Sequence, residues 1–255
     1  MRANRKLWAA ATVCVAVIAG ATGCSKGEDK AADPFAGLTA DAIADKAVET
    51  TKGATAFRMH GSGKTDGEEM TVEFSVDDKG NCQGTMKAPK GGSAEIVGTG
   101  GTSYMKGDDA FWKSSGGEEG ASADESDSMS AMLKGRWLKM PEESGAGEGG
   151  AGAFCDLKQI VKDMDEETPR KGMTREADAD VDGKAAAVLS KKDKAETTTF
   201  YVTKDAAKPY ILRVVTTGGD DPGTVDFSDF DKPVTVTVPP ADQTVDMAEL
   251  MKGAS

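Results

Sequence analysis

The sequence predicts an α+β fold: a single domain built on an open, strongly curved antiparallel sheet with covering helices. Three observations predict it. A helical pattern with one apolar face opens the domain at Thr39, period-two alternation takes over across residues 55–76, and a second block of alternating strands fills residues 185–238. Strands that alternate apolar and polar positions have one dry face, and that face must be covered.

Upstream of the domain, Arg2, Arg5 and Lys6 make a basic head and residues 7–19 an apolar run. Gly20-Ala21-Thr22-Gly23 then brings small residues up to Cys24. This is the pattern of a secretory signal over residues 1–23. The apolar run is shorter than the roughly 20 residues a membrane span requires. Ala21-Thr22-Gly23-Cys24 resembles the lipobox of bacterial lipoproteins, with Ala21 where leucine is usual. The resemblance implies cleavage before Cys24, acylation of that cysteine and anchoring to the outer face of the cell membrane. Plain secretion, with Cys24 an incidental thiol, is the alternative. At about 0.8 kcal/mol per buried methylene, one acyl chain holds marginally and two or more hold stably. The polar residues that follow, up to residue 38, read as a disordered tether.

The leader carries three basic and no acidic residues, so its loss takes the net charge from −12 to −15. Such a surface repels phosphate backbones and anionic lipid surfaces, which argues against nucleic acid as a partner and leaves the acyl anchor as the membrane attachment. Cys14 leaves with the leader and Cys24 carries lipid, so Cys82 and Cys155 remain to form a disulfide in an oxidising compartment. A two-cysteine metal site would need further ligands, and His60 is the only histidine. No metal and no cofactor is expected.

Each element has a local reason. Thr39 is an N-cap, Asp41 stands in the first turn, Ile43, Ala44, Ala47 and Val48 share a face, and Gly53 ends the helix. Phe57 and Met59 alternate with Arg58 and His60; Met70, Val72, Phe74 and Val76 alternate with Thr71, Glu73 and Ser75. After a turn at residues 77–80, strand-like pieces follow at 82–86, 93–98 and 103–106, with Phe111-Trp112 beyond Gly107. Residues 114–153 form a flexible insertion rich in glycine and acids around an apolar island. There Met129, Met132 and Leu133 share a helical face, and Trp137, Leu138 and Met140 follow. A second helix covers 156–164, with Leu157, Ile160, Val161 and Met164 on one side. Strands return at 185–190, 197–203, 209–216, 223–230 and 234–238, the last on the alternation of Val234, Val236 and Val238 with threonines, and a helix near 246–251 completes the chain.

The motifs that carry chemistry fail one by one. Gly63-Lys64-Thr65 lacks the earlier glycine of a phosphate loop, because Arg58 stands there, and reads as a surface turn. Asp178, Asp180, Asp182 and Gly183 begin like a calcium loop, yet Leu189 occupies the twelfth position, which leaves a solvated hairpin turn with weak cation binding as the alternative. Ser103-Tyr104-Met105-Lys106 spells Ser-x-x-Lys on a strand rather than a helix start, without its companion motifs. His60 alternates toward the wet face. The sequence therefore predicts no enzyme.

Covering helix, long meander, loop-rich helical insertion and second strand set together resemble the LppX/LprG-type lipoproteins of actinobacteria, and more distantly the LolA/LolB carriers. The residues that carry the resemblance are the lipobox at Cys24, Thr55-Ala56-Phe57-Arg58-Met59, Phe111-Trp112-Lys113, Gly135-Arg136-Trp137-Leu138-Lys139, and the stretch from Thr224 to Val234. It implies a half β-barrel over residues 39–255 whose concave face holds the acyl chains of an envelope lipid or lipoglycan, without catalysis. Alternation puts Phe57, Met59, Val72, Phe74, Phe200, Val202, Leu212 and Val214 on its wall. Met129, Met132 and Leu133 suit a mobile lid, since methionine adapts to irregular apolar ligands; the alternative is that they plug the core. The second functional expectation is an envelope scaffold or sensor, with a filled core and a protein partner.

Overall fold

A computed structural model of the chain describes residues 33–65, 67–115, 123–140, 155–167 and 169–253. The segment read as leader, Cys24, the segment read as tether up to residue 32, and half of the 114–153 insertion lie outside them. Helix α1 (Ala40–Lys52) starts where Thr39 accepts the Ala42 N–H and stops at Gly53, as its sequence signals dictate. The meander follows as β1 (Ala56–Thr65), β2 (Glu68–Asp77), β3 (Cys82–Ala88), β4 (Gly92–Thr99) and β5 (Thr102–Gly107). Helices α2 (Asp109–Ser115) and α3 (Ala123–Leu133) lead to β6 (Trp137–Met140), and α4 (Leu157–Glu167) precedes the second strand block. That block holds β7 (Thr174–Arg175), β8 (Ala179–Val181), β9 (Lys184–Asp193), β10 (Glu196–Thr203), β11 (Ile211–Thr217) and β12 (Gly223–Ser228). Strand β13 (Thr244–Asp246) and helix α5 (Met247–Gly253) close the chain.

All of these strands join one open curved sheet, in the order β13-β6-β5-β4-β3-β2-β1-β12-β11-β10-β9-β7, with β8 pairing β9. The pairs are antiparallel except β13 with β6. The two strand blocks meet where β12 pairs β1, with Phe227 opposite Met59. Helices α1 and α4 lie on the inner face. Their Ile43, Ala47, Val48, Leu157 and Val161 join Phe57, Phe74, Val76, Ile96, Phe200, Val202, Ile211 and Phe227 in one core. Glycine permits two of the close approaches: the Phe74 ring lies over Gly84 and the Cys155 sulfur over Gly98, where any Cβ would collide.

The disulfide joins Cys82 at the start of β3 to Cys155 ahead of α4, with Cα atoms 5.0 Å apart and 73 residues between them. A loop of that length contributes about 4 kcal/mol in the chain-entropy account.

Several sequence expectations need correction. Phe111-Trp112, read beside the strands, lies in α2, because Asp108 accepts the Phe111 N–H and caps a helix there. Residues 234–238 form no strand despite their alternation. Their chain neighbour β12 is already paired on both edges, and the flanking Pro233, Pro239 and Pro240 have no N–H to give a ladder. Val234 instead donates its N–H to buried Asp77, and Val238 is 52% exposed. Gly63-Lys64-Thr65 is the end of β1 rather than a turn. Phe35, assigned to the tether, is buried in the main core behind an ordered turn.

Candidate functional site: the open end of the inner face

Five of the inner-face strands, β1, β2, β3, β11 and β12, run from a buried end to a half-buried one. On β1, Phe57 is buried and Met59 half-buried; on β2, Val76 and Phe74 are buried and Val72 and Met70 half-buried. Cys82 gives way to Met86 on β3, Ile211 to Val214 on β11, and Phe227 to Val225 on β12 in the same sense. The antiparallel register sets the open-end residues side by side, since Val225 faces Gly61, Gly61 faces Val72 and Val72 faces Met86, with Met59 one step deeper between buried Phe227 and Phe74. Below that level α1 and α4 cover the sheet. Above it the apolar face is only partly covered.

The sealed end is also the wired end. Buried Thr51 donates to the Ala47 carbonyl and accepts the Ile211 N–H at 3.1 Å, tying α1 to β11. Ile211 needs that partner because β10 and β11 shift register there. Beside it Asp231 accepts from Thr55 N–H, Tyr210 O–H and the Lys208 ammonium, while the Tyr210 ring stacks on Phe230 at 4.0 Å. The Lys208, Thr55 and Tyr210 donors hold the Asp231 carboxyl far below the usual carboxylate range. This is the physical content of the stretch from Thr224 to Val234. Asp229 and Asp231 there both adopt positive φ, a conformation aspartate tolerates better than most residues.

At the open end Met70 and Met86, with Ala88, Phe111 and the ring of Glu68, Gly91, Gly92 and Ser114, enclose an apolar pocket of about 240 Å³. Helix α2 closes its far side. The neighbouring Trp112 ring is buried over Gly107, with its indole N–H unpartnered among the described residues. Trp112, Leu133, Leu138 and Val245 form a separate small cluster under α2, α3 and α5.

The wall residues predicted from alternation divide accordingly. Phe57, Phe74, Phe200 and Val202 are buried in the packed core, and Met59, Val72 and Val214 flank its open end. Leu212 is on the other side of the sheet, in an outer cluster with Val181 and Ala186. The bulge at Ile211 and Leu212 reverses the alternation that placed Leu212 with Val214. Of the lid residues, Leu133 is buried in the small cluster, while Met129 and Met132 are 42% and 40% exposed and join none of the three clusters. Sequence reading did not single out Met70 and Met86 as pocket residues. Met70 stood in the alternating run, and Met86 ended a strand whose partners were unknown.

The rejected motifs find ordinary roles. Asp180 accepts the Gly183 N–H in the β8–β9 turn, Asp178 pairs with Arg175 and Lys204, and Asp182 lies 4.0 Å from Arg213. Asp182 and Gly183 both have positive φ, the two-residue hairpin turn that the sequence suggested. His60 is exposed on the outer face opposite Glu73. No described helix is long and apolar enough to cross a membrane.

No protein-family model matches the sequence, and no curated protein matches it. Solved structures do. LprF from Mycobacterium bovis superposes with a TM-score of 0.52 at 15% identity, covering 79% of this chain and 97% of that one. The Mycobacterium tuberculosis lipoprotein LppX gives 0.49 at 13% identity, covering 78% and 98%. At such identity the LprF likeness speaks for the fold, and it spans nearly the whole of LprF. The chain thus shares the curved-sheet fold of LprF, the architecture implied by its resemblance to the LppX/LprG-type lipoproteins.

Proposed function

We propose that this is an exported, non-catalytic lipoprotein, anchored through acylated Cys24, that holds the acyl part of an envelope lipid at the open end of its inner face. The observation that supports it is the coordinated change from buried to half-buried apolar residues along five strands, ending in the pocket of Met70, Met86 and Phe111. A face left partly bare toward one end of five strands is a surface waiting for cover, and apolar surface gains about 25 cal/mol per Å² when covered. The pocket's 240 Å³ falls below the about 300–1,000 Å³ of sites that engulf a drug-sized ligand, so it takes part of one chain. LppX is itself described as a lipoprotein. The leader and lipobox support the anchor and the extracytoplasmic location.

The second reading, a scaffold with a protein partner, draws on the sealed half, where α1 and α4 fill the concavity themselves.

The core clusters among the described residues lie within residues 33–253, all of which a chain starting at Ser25 contains. Expressed in an exporting host and analysed by native mass spectrometry and organic extraction, that chain is expected to carry lipid. Absence of lipid, together with no rise in melting temperature on adding dipalmitoylglycerol, would falsify carriage and favour the scaffold. For the anchor, a clickable palmitate analogue is expected to label the full chain and not its Cys24→Ala variant.

A further inference from the structure

On the outer face, directly behind the apolar pocket, lies a groove of about 740 Å³. The ladder of β3, β4 and β5 is its floor, and Asp108 to Ala110 and Lys134-Gly135 are its walls. Lys87 borders both the groove and the pocket, which lie on opposite sides of the end of the β3–β4 hairpin.

The groove's charges sort by what already satisfies them. Asp108 accepts from the Ser93 N–H and hydroxyl and from the Phe111 N–H, and Asp109 pairs with Lys134 at 2.7 Å. Lys87, Lys106 and Glu95 remain, and no ion pair among the described residues uses any of them. Their register places them together: Glu95 faces Lys106 across β4–β5, and Lys87 faces Ser93, two residues from Glu95 on the same face of β4. The Lys106 ammonium also stands 5.8 Å from the Trp137 ring centroid. In so acidic a chain, two ammonium groups around one carboxylate in the groove, with Lys87 also bordering the apolar pocket, form a local field of mixed sign. A phosphate would meet Lys87 and Lys106, and a cationic group joined to it would meet Glu95.

Resting on the carrier reading above, we infer that the bound lipid is a zwitterionic phospholipid of the phosphoethanolamine class. Its acyl chain enters the pocket of Met70, Met86 and Phe111, and its headgroup crosses the β3–β4 hairpin end into the groove of Lys87, Lys106 and Glu95. The hairpin rim is short, with Pro89-Lys90-Gly91 joining the strands, and Lys90 is held aside by Glu68 at 3.0 Å.

The test measures binding of dipalmitoyl phosphatidylethanolamine, dipalmitoylglycerol and soluble phosphoethanolamine to the chain from Ser25, by native mass spectrometry with circular dichroism as a folding control. The double variant Lys87→Gln, Lys106→Gln is expected to bind the phospholipid about tenfold more weakly and dipalmitoylglycerol as tightly as the parent. Glu95→Gln is expected to shift preference from phosphatidylethanolamine toward phosphatidic acid. Equal phospholipid affinity in parent and double variant overturns the headgroup site, as does equal loss of both lipids. Soluble phosphoethanolamine binding as tightly as the phospholipid shows a free-ligand site and also overturns it. Should the parent bind dipalmitoylglycerol but not the phospholipid, only this inference fails; should it bind neither, carriage fails first.

Discussion

The two ends of the inner face are both apolar but are built from different side chains. At the sealed end aromatic and branched side chains, Phe57, Phe74, Val76, Ile211 and Phe227, are locked beneath two helices, a disulfide and a buried threonine. At the open end three of the half-buried apolar positions are methionine, Met59, Met70 and Met86, beside Val72, Val225 and Val214. Rigid side chains define one packing, whereas methionine accommodates several. Stability is thus concentrated at one end, and adaptability is left at the other.

That comparison can be broken from either side. The largest effect belongs to the disulfide: Cys82→Ser with Cys155→Ser should cost about 4 kcal/mol in urea unfolding. A loss below about 1 kcal/mol would show that α4 does not need the bond to seal its end. Next is Thr51→Val, which preserves shape but orphans the buried Ile211 N–H. It should cost about 1–3 kcal/mol, and a neutral result would remove the link between α1 and the β11 bulge.

Asp231→Asn follows, at about 1–2 kcal/mol near neutral pH, because three donors lose their charged acceptor. Its folded-state pKa is depressed, so the carboxylate stabilises fully above its unfolded value of 3.8 and progressively less as pH falls below it. Parent and variant should therefore converge in thermal midpoint as pH is lowered from about 5 toward 2, and a constant gap would contradict the hub. Smallest in stability is Met70→Ser with Met86→Ser, expected below about 1.5 kcal/mol since both side chains are half-buried. The same pair should nevertheless abolish most lipid co-purification, which separates the ligand end from the structural end.

Much of the fold was legible in local signals. Thr39 and Gly53 bound α1, the alternation from Phe57 to Val76 marks β1 and β2, and Asp182-Gly183 marks a hairpin. These are local because capping, pleat and turn geometry act over a few residues. The failures are equally instructive. Val234, Val236 and Val238 carry a strand's pattern but find no free sheet edge, and Leu212 carries a wall residue's pattern but sits past a bulge. Met129 and Met132 share a helical face that turns to solvent rather than to the cavity.

By itself the chain determined the α+β class, helix α1, most strands of both blocks and the two cysteines that pair, because each rests on composition or on contacts near in sequence. Tertiary structure alone decided that β12 joins β1, that Met59 and Val72 are left half-buried at the edge of the core, and that Lys87 borders both an apolar pocket and a charged groove. Those facts depend on which strands become neighbours and on how far a helix reaches across a curved face. No spacing along the sequence encodes either one, since both arise from contacts between residues far apart in the chain.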